Sequence, residues 1–237
     1  MYFRYCIKST RNMNPSNLQV TIVAGNIGSG KSTTLESLKS IASSDVSSAT
    51  EFHFILEDVE RWHHYLEKMY LYPNEDKYRW LLQCDVLGHF LQVAKAYDQL
   101  CVKALNEPSK QFRLVIERSP QEVLAIFLKQ EDRTHDDETL INMYKCLIEK
   151  TNLWSNPKML NWVWVQCPLE KVYQRVSKRN RPGEKEGVST DFLAQLDKRY
   201  LTFFTTVSDT VITLDNSTND VAALYTSLVA FYRSHLL

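Results

Sequence analysis

LQVTIVAGNIGSGKST, residues Leu18–Thr33, is the stretch from which the rest of the chain can be read. Leu18–Ala24 is apolar at nearly every position, the mark of a strand covered on both faces of a parallel sheet. It runs into Gly25, Asn26, Ile27, Gly28, Ser29, Gly30, Lys31 and Ser32, which satisfy G-x-x-x-x-G-K-[ST]. The chain has only six glycines, and Gly25, Gly28 and Gly30 are three of them. Glycines there let backbone N–H groups turn inward around phosphate oxygens, and a helix N-terminus adds positive potential. Lys31 is placed to reach the β- and γ-phosphates of a nucleotide, and Ser32 to offer a hydroxyl to Mg²⁺. Ordinary residue frequencies give roughly one chance match per hundred chains of this length. The strand–loop–helix setting makes chance rarer still.

Working outward, four more short apolar runs read as strands: Phe52–Leu56, Phe112–Ile116, Asn161–Gln166 and Thr210–Leu214. Helical patterns lie near Lys31–Ile41, Trp80–Leu105, Gln121–Gln130, Glu138–Leu153, Leu169–Arg179, Asp191–Thr206 and Asp220–His235. Alternating strands and helices predict an α/β P-loop NTPase fold, a five-stranded parallel sheet with helices on both faces. No repeat or linker divides residues 18–237, so they form one domain. Residues 1–17 carry Arg4, Lys8 and Arg11, no acid and no apolar signal core, and read as a flexible arm.

Composition narrows the function. Twenty-eight basic residues balance 28 acidic ones, which disfavours a protein that coats nucleic acid. No apolar run is long enough to span a membrane. Five scattered cysteines without a C-x-x-C pair suggest reduced thiols in the cytoplasm. The basic arm leaves mitochondrial targeting as the other location. A switch GTPase would need a guanine-reading N-K-x-D, and the chain has none.

Two strands end in glutamate. Glu57 closes FILE and Glu117 closes LVIE, and both belong at the mouth of the sheet that holds the glycine loop. A carboxylate there can take a proton from an attacking hydroxyl or hold Mg²⁺. Arg118 beside them can hold a phosphoryl group or the carboxylate itself.

GNIGSGKST, E-x-V-x-x-W (Glu57, Val59, Trp62), Met69–Tyr70, the ERS triplet Glu117–Ser119, KRNRPGE (Lys178–Glu184) and VITLD (Val211–Asp215) occur in one order. In that order they resemble the deoxyribonucleoside kinases, including cellular and herpesviral thymidine kinases. The likeness runs from about residue 20 to the C-terminus; Asp58 departs from the family's usual proline. It implies a kinase using Mg-ATP, commonly a homodimer, in nucleotide salvage. Glu57 becomes the general base for the nucleoside 5′-hydroxyl, Arg118 its steadying partner, and Ser32 with Glu117 the Mg²⁺ ligands. The run Arg175, Lys178, Arg179 and Arg181 becomes an arginine-rich lid, with Arg179 and Arg181 stabilising transition-state charge. Asp215 precedes the loop expected to pack on adenine.

The resemblance also assigns the nucleoside pocket. Gln83 pairs with the base edge and Phe127 stacks on the base. Trp62 and Tyr70 line the sugar side, and Glu184, with Glu186 as fallback, shares the 3′-oxygen with Tyr70. Relatives that prefer deoxycytidine or purines carry an Arg and an Asp where this chain has Phe90 and Val123. With Val86 alongside, that wall accepts the thymine methyl, worth about 0.8 kcal/mol on burial. Thymidine is therefore the expected substrate, with deoxycytidine also used. A nucleoside monophosphate kinase and a non-catalytic nucleotide sensor are the alternatives. The first would need cations rather than Glu57 at the acceptor, with Arg61 as its one candidate nearby.

Overall fold

The computed structural model describes residues 14–45, 49–128, 135–207, 211–218 and 220–237. The chain forms β1 (Leu18–Ala24), α1 (Lys31–Ser44), β2 (Thr50–Ile55), α2 (Val59–Leu71), α3 (Asp76–Asn106) and β3 (Gln111–Glu117). It continues with α4 (Pro120–Glu122), which runs into a π turn at Val123–Phe127, then α5 (His135–Lys150), β4 (Leu160–Gln166) and α6 (Leu169–Arg179). Last come α7 (Glu184–Gly187), α8 (Thr190–Val207), β5 (Val211–Asp215) and α9 (Val221–Phe231). All strand pairs are parallel, in the order β2-β3-β1-β4-β5. This is the P-loop NTPase fold that the sequence predicts.

Strand periodicity divides the apolar side chains between two cores. Val20, Ile22 and Ala24 of β1, with Leu114 and Ile116 of β3 and Trp162 of β4, face the helices α3, α5 and α8. Val23, Val115, Val163 and Val165 face α1 and α9 on the other side. Each fully buried residue of this size contributes about 1.5–3 kcal/mol over its exposed state. Trp162 meets Phe203 edge-on at 5.3 Å, and Trp164 stacks on Phe204 at 5.0 Å, fastening α8 to the sheet. Among the described residues no helix is long and apolar enough to cross a membrane.

Several expectations shift. The second strand stops at Ile55, the last residue with a ladder partner on β3, so Glu57 lies in the connection to α2. Helix α2 itself was not expected; VERWHHYLEKMYL mixes polar and apolar residues almost evenly and holds its place by packing on α3. The pattern at Gln121–Gln130 becomes the short α4 and the π turn; residues 129 and 130 lie outside the described residues, as does Thr210.

Residues 14–17, assigned from the sequence to a flexible arm, pack on the domain. Residues 1–13 lie outside the described residues, but Asn17 is 8% exposed. Its amide donates to the carbonyls of Ala104, Glu107 and Lys110 at 2.8–3.1 Å, closing the end of α3. Asn14 Oδ1 accepts from the buried Tyr97 hydroxyl at 2.9 Å.

Candidate active site

The loop between β1 and α1 is shaped by glycine where no other residue would fit. Gly30 has φ 94°, and a Cβ there would lie 2.2 Å from Asn216 Nδ2. Gly28 has φ 77°, and its Cβ would meet Val176 at 2.8 Å. Asn26 holds the loop outward, donating from Nδ2 to Leu193 O at 2.9 Å. Asn216 Nδ2 donates to Ser29 O at 2.7 Å, and Arg175 donates to Ser29 O at 3.3 Å and Asn216 O at 3.0 Å. The lid helix α6 and the segment after β5 thus grip the loop from one side.

Lys31 is 5% exposed, and its Nζ donates to Gly25 O and Asn26 O at 2.9 Å each. Burial, aided by Arg118, lowers its pKa to about 8. A buried ammonium held by backbone carbonyls in a glycine loop is a site for phosphate oxygens. Thr33 is exposed on the first turn of α1. Asp215 is exposed as well, and its carboxylate accepts from Ser217 N and Oγ at 2.8 and 2.9 Å. Asn216, its neighbour, is the residue that touches the loop.

Three carboxylates converge on two buried cations. Ser32 Oγ donates to Glu117 Oε1 at 2.8 Å, and the backbone N–H of Glu57 donates to Glu117 Oε2 at 3.2 Å. A hydroxyl and a carboxylate side by side at the loop are a donor set that suits Mg²⁺, which keeps few protein ligands. Burial, and then the nearby Glu57 charge, push the Glu117 pKa up. Arg118 Nε donates to Glu57 Oε2 at 3.1 Å, while Nη1 donates to Glu122 Oε1 at 2.6 Å and the Tyr200 hydroxyl at 2.7 Å. Arg118 sits at φ 66°, a left-handed conformation that costs a non-glycine residue about 1–3 kcal/mol. Its guanidinium also lies 4.9 Å from the centre of the Phe127 ring.

A cavity of about 370 Å³ opens beside these groups. It is lined by Ile27, Gly28, Lys31, Ser32, Glu57, Glu117 and Arg118 at one end. Trp62, Tyr70, Gln83, Val86, Val123 and Phe127 also line it, as do Arg179, Arg181 and Glu184. Arg179 Nε donates to Glu184 Oε2 at 2.8 Å, so the lid cation and the acid arrive as a pair. Burial, with Glu184 adding to it, pushes the Tyr70 phenol pKa up. Gly187 packs against the Tyr70 ring. The side chain of Glu186 lies outside the described ones.

Phe90 departs from its expected place. It is 1% exposed, absent from the cavity lining, and packed edge-on to Trp154 at 5.8 Å. Val86, one turn earlier on α3, is the residue that reaches the cavity.

The sequence profile of the deoxynucleoside kinases matches residues 21–228. The chain belongs to the deoxynucleoside kinase family. It is thus a kinase, a nucleotide-binding transferase. It is similar to "Putative kinase protein 143R" of Invertebrate iridescent virus 6, 26% identical over 206 residues that cover 86% of this chain and 91% of the viral protein. Its fold is similar to deoxyadenosine kinase from M. mycoides with bound dATP, at a TM-score of 0.65 and 18% identity, covering 91% of this chain and 100% of the other. A second structure of that enzyme, with bound dCTP, gives a TM-score of 0.57 and 16% identity over the same shares.

The kinase's site also contains residues that sequence reasoning missed. Arg79 and Leu82 line the cavity beside Gln83. Arg79 is four residues before Gln83 on α3, so helical spacing from a residue already singled out was the available signal. Arg79 Nη1 donates to the buried Asp137 carboxylate of α5. Glu122 is likewise four residues from Arg118, whereas Tyr200 and Tyr144, which hold Arg118 and Gln83 from behind, lie on distant elements and gave no signal.

Proposed function

We propose that this kinase transfers the γ-phosphoryl group of ATP to the 5′-hydroxyl of deoxynucleosides, with thymidine and deoxycytidine among its acceptors. The observation that carries the reading is Glu57: a carboxylate facing the cavity, 3.1 Å from Arg118, beside the phosphate loop. Such a group attracts the proton of a neutral hydroxyl and repels a phosphomonoester. Arg61, the cation that a monophosphate acceptor would want, is exposed and donates to Asp85 at 3.4 Å.

Lys31 and the loop N–H groups hold the donor's phosphates, and Arg118 fixes the Glu57 carboxylate so that one oxygen faces the 5′-hydroxyl. Glu57 then accepts the hydroxyl proton as the new O–P bond forms and the bond from the γ-phosphorus to the β–γ bridging oxygen breaks, leaving ADP. Mg²⁺, held by Ser32 and Glu117, would supply charge neutralisation on the phosphates. Arg179 and Arg181 close over the transferring group, and Glu184 with Tyr70 holds the 3′-oxygen. Gln83 pairs with the base, Phe127 stacks on it, and Val86, Val123 and Leu82 make the apolar wall for a thymine methyl. With Phe90 behind that wall, the barrier to a purine is lower than the sequence suggests. Deoxyadenosine and deoxyguanosine therefore belong in the test. A homodimer working in nucleotide salvage in the cytoplasm completes the reading.

The experiment is ADP release with Mg-ATP and each deoxynucleoside, and with thymidylate, in turn. Turnover with thymidine well above thymidylate supports the proposal. Thymidylate as the only acceptor makes the chain a monophosphate kinase. ATP binding without any turnover makes it a sensor.

A further inference from the structure

Gln83 sits between the cavity and a fully buried tyrosine. Its side chain lines the cavity, yet only 8% of the residue is exposed. Behind it, on α5, Tyr144 is 0% exposed and does not line the cavity. The Tyr144 hydroxyl lies 2.9 Å from Gln83 Oε1 and 3.4 Å from the Gln83 backbone carbonyl. Hydroxyl donors prefer about 2.7–2.8 Å, so the phenol donates its proton to Oε1 rather than to the backbone carbonyl. Burial pushes the phenol's pKa well up, which keeps that proton in place. Rotating the amide by half a turn would put its NH₂ against the hydroxyl. The phenol would then have only the distant backbone carbonyl to donate to, a costly arrangement for a buried O–H.

The consequence follows from the chemistry of the bases. The edge of thymine offers an acceptor at O4 and a donor at N3. Cytosine offers the reverse, a donor at N4 and an acceptor at N3. A freely rotating amide reads both orders, because it carries an acceptor on one side and donors on the other. An amide held in one orientation reads only one.

We propose that Tyr144 is a positioning residue that locks the Gln83 amide in one orientation and thereby sets the preference between keto and amino pyrimidines. This rests on the nucleoside kinase reading above, with thymidine as the favoured acceptor. Tyr144 touches no substrate; it acts through Gln83.

The test is kcat/KM for thymidine and deoxycytidine in the wild type and in Tyr144→Phe, with thermal melting to verify folding. The wild type favours thymidine by at least about tenfold, toward the lower end of what leaving one buried polar group unpaired costs. In Tyr144→Phe that ratio falls to within about threefold of one, while kcat for thymidine changes by less than about threefold. A structural role alone would lower both substrates together and leave the ratio unmoved. An unmoved ratio overturns the proposal, and so does a wild type that uses both nucleosides equally well. A wild type that phosphorylates no deoxynucleoside overturns the functional reading first and this proposal with it. Should Tyr144→Phe fail to fold, Tyr144→Met, of similar volume and without a hydroxyl, carries the same measurement.

Discussion

Arg118 reaches Glu57 at 3.1 Å, Nε to Oε2, from a backbone held in the left-handed region at φ 66°. The strain is offset by what the geometry achieves: one guanidinium touches Glu57, Glu122 and Tyr200 together. For Glu57→Gln, kcat falls by about a hundredfold or more, the usual scale of general-base catalysis. Its KM for the nucleoside stays within a few-fold, as steady-state kinetics will measure. A small loss would make Glu57 a binding group only.

Glu122 is fully buried against Arg118. Removing one partner of a buried ion pair costs about 3–5 kcal/mol, because the other charge is left in the core. Glu122→Ala is therefore expected to unfold at markedly lower denaturant than the wild type. Tyr200→Phe keeps the ion pair but removes a hydroxyl that accepts from Arg118 and donates to Glu122, and loses less, about 1.5–3 kcal/mol. Urea titration ranks the two.

Lys31 has opposite effects on activity and stability. Its folded pKa is lowered to about 8 from an ordinary 10.5, so between those values the unfolded chain binds the extra proton. Stability must then rise with pH across that window, and below it the buried charge is a full cost. Lys31→Met abolishes ADP release, yet its stability at pH 7 without nucleotide is no lower than that of the wild type. The variant also loses the rise between pH 8 and 10, which chemical denaturation at both pH values reveals.

At the far end of the sheet, Glu51 works the other way. Burial alone would raise its pKa, but hydrogen bonds from Lys103, Lys110 and His53 outweigh this and lower it to about 2. A depressed carboxylate stabilises the fold above its unfolded pKa, near 4.5, and loses that contribution as pH falls toward 2. Glu51→Gln is less stable than the wild type at pH 7 and shows a flatter decline between pH 5 and 3. Its partners are partly exposed, so the difference at pH 7 is under about 1 kcal/mol. Acid melts followed by circular dichroism measure both.

The parts of the site legible in the sequence are those whose chemistry is local. Leu18–Ser32 carries strand, loop and helix start in one contiguous pattern, so the fold and the phosphate loop follow from it. Glu57 and Glu117 were visible because strand ends share one side of a parallel sheet. What escaped depends on contacts between distant elements. Nothing around Tyr144 or Tyr200 distinguishes them from core tyrosines until α5 and α8 are packed. Asp215, expected to precede the loop on adenine, is exposed and bonds Ser217, while Asn216 just past the strand is the residue that reaches the phosphate loop. Phe90 was misplaced by one helical turn, since Gln83, Val86 and Phe90 share a face of α3 but stand at different depths.

The central place of β1 has a consequence for synthesis. The phosphate loop grows out of β1, but that strand's two neighbours lie far along the chain, at residues 111–117 and 160–166. Until β4 emerges, β1 can pair only with β3, and its other edge, beside the loop, stays open. A nascent chain of this kinase is expected to gain full affinity for nucleotide only once β4 has emerged. Fragments that end between α1 and β4 would then display the whole GNIGSGKS motif and bind ATP poorly.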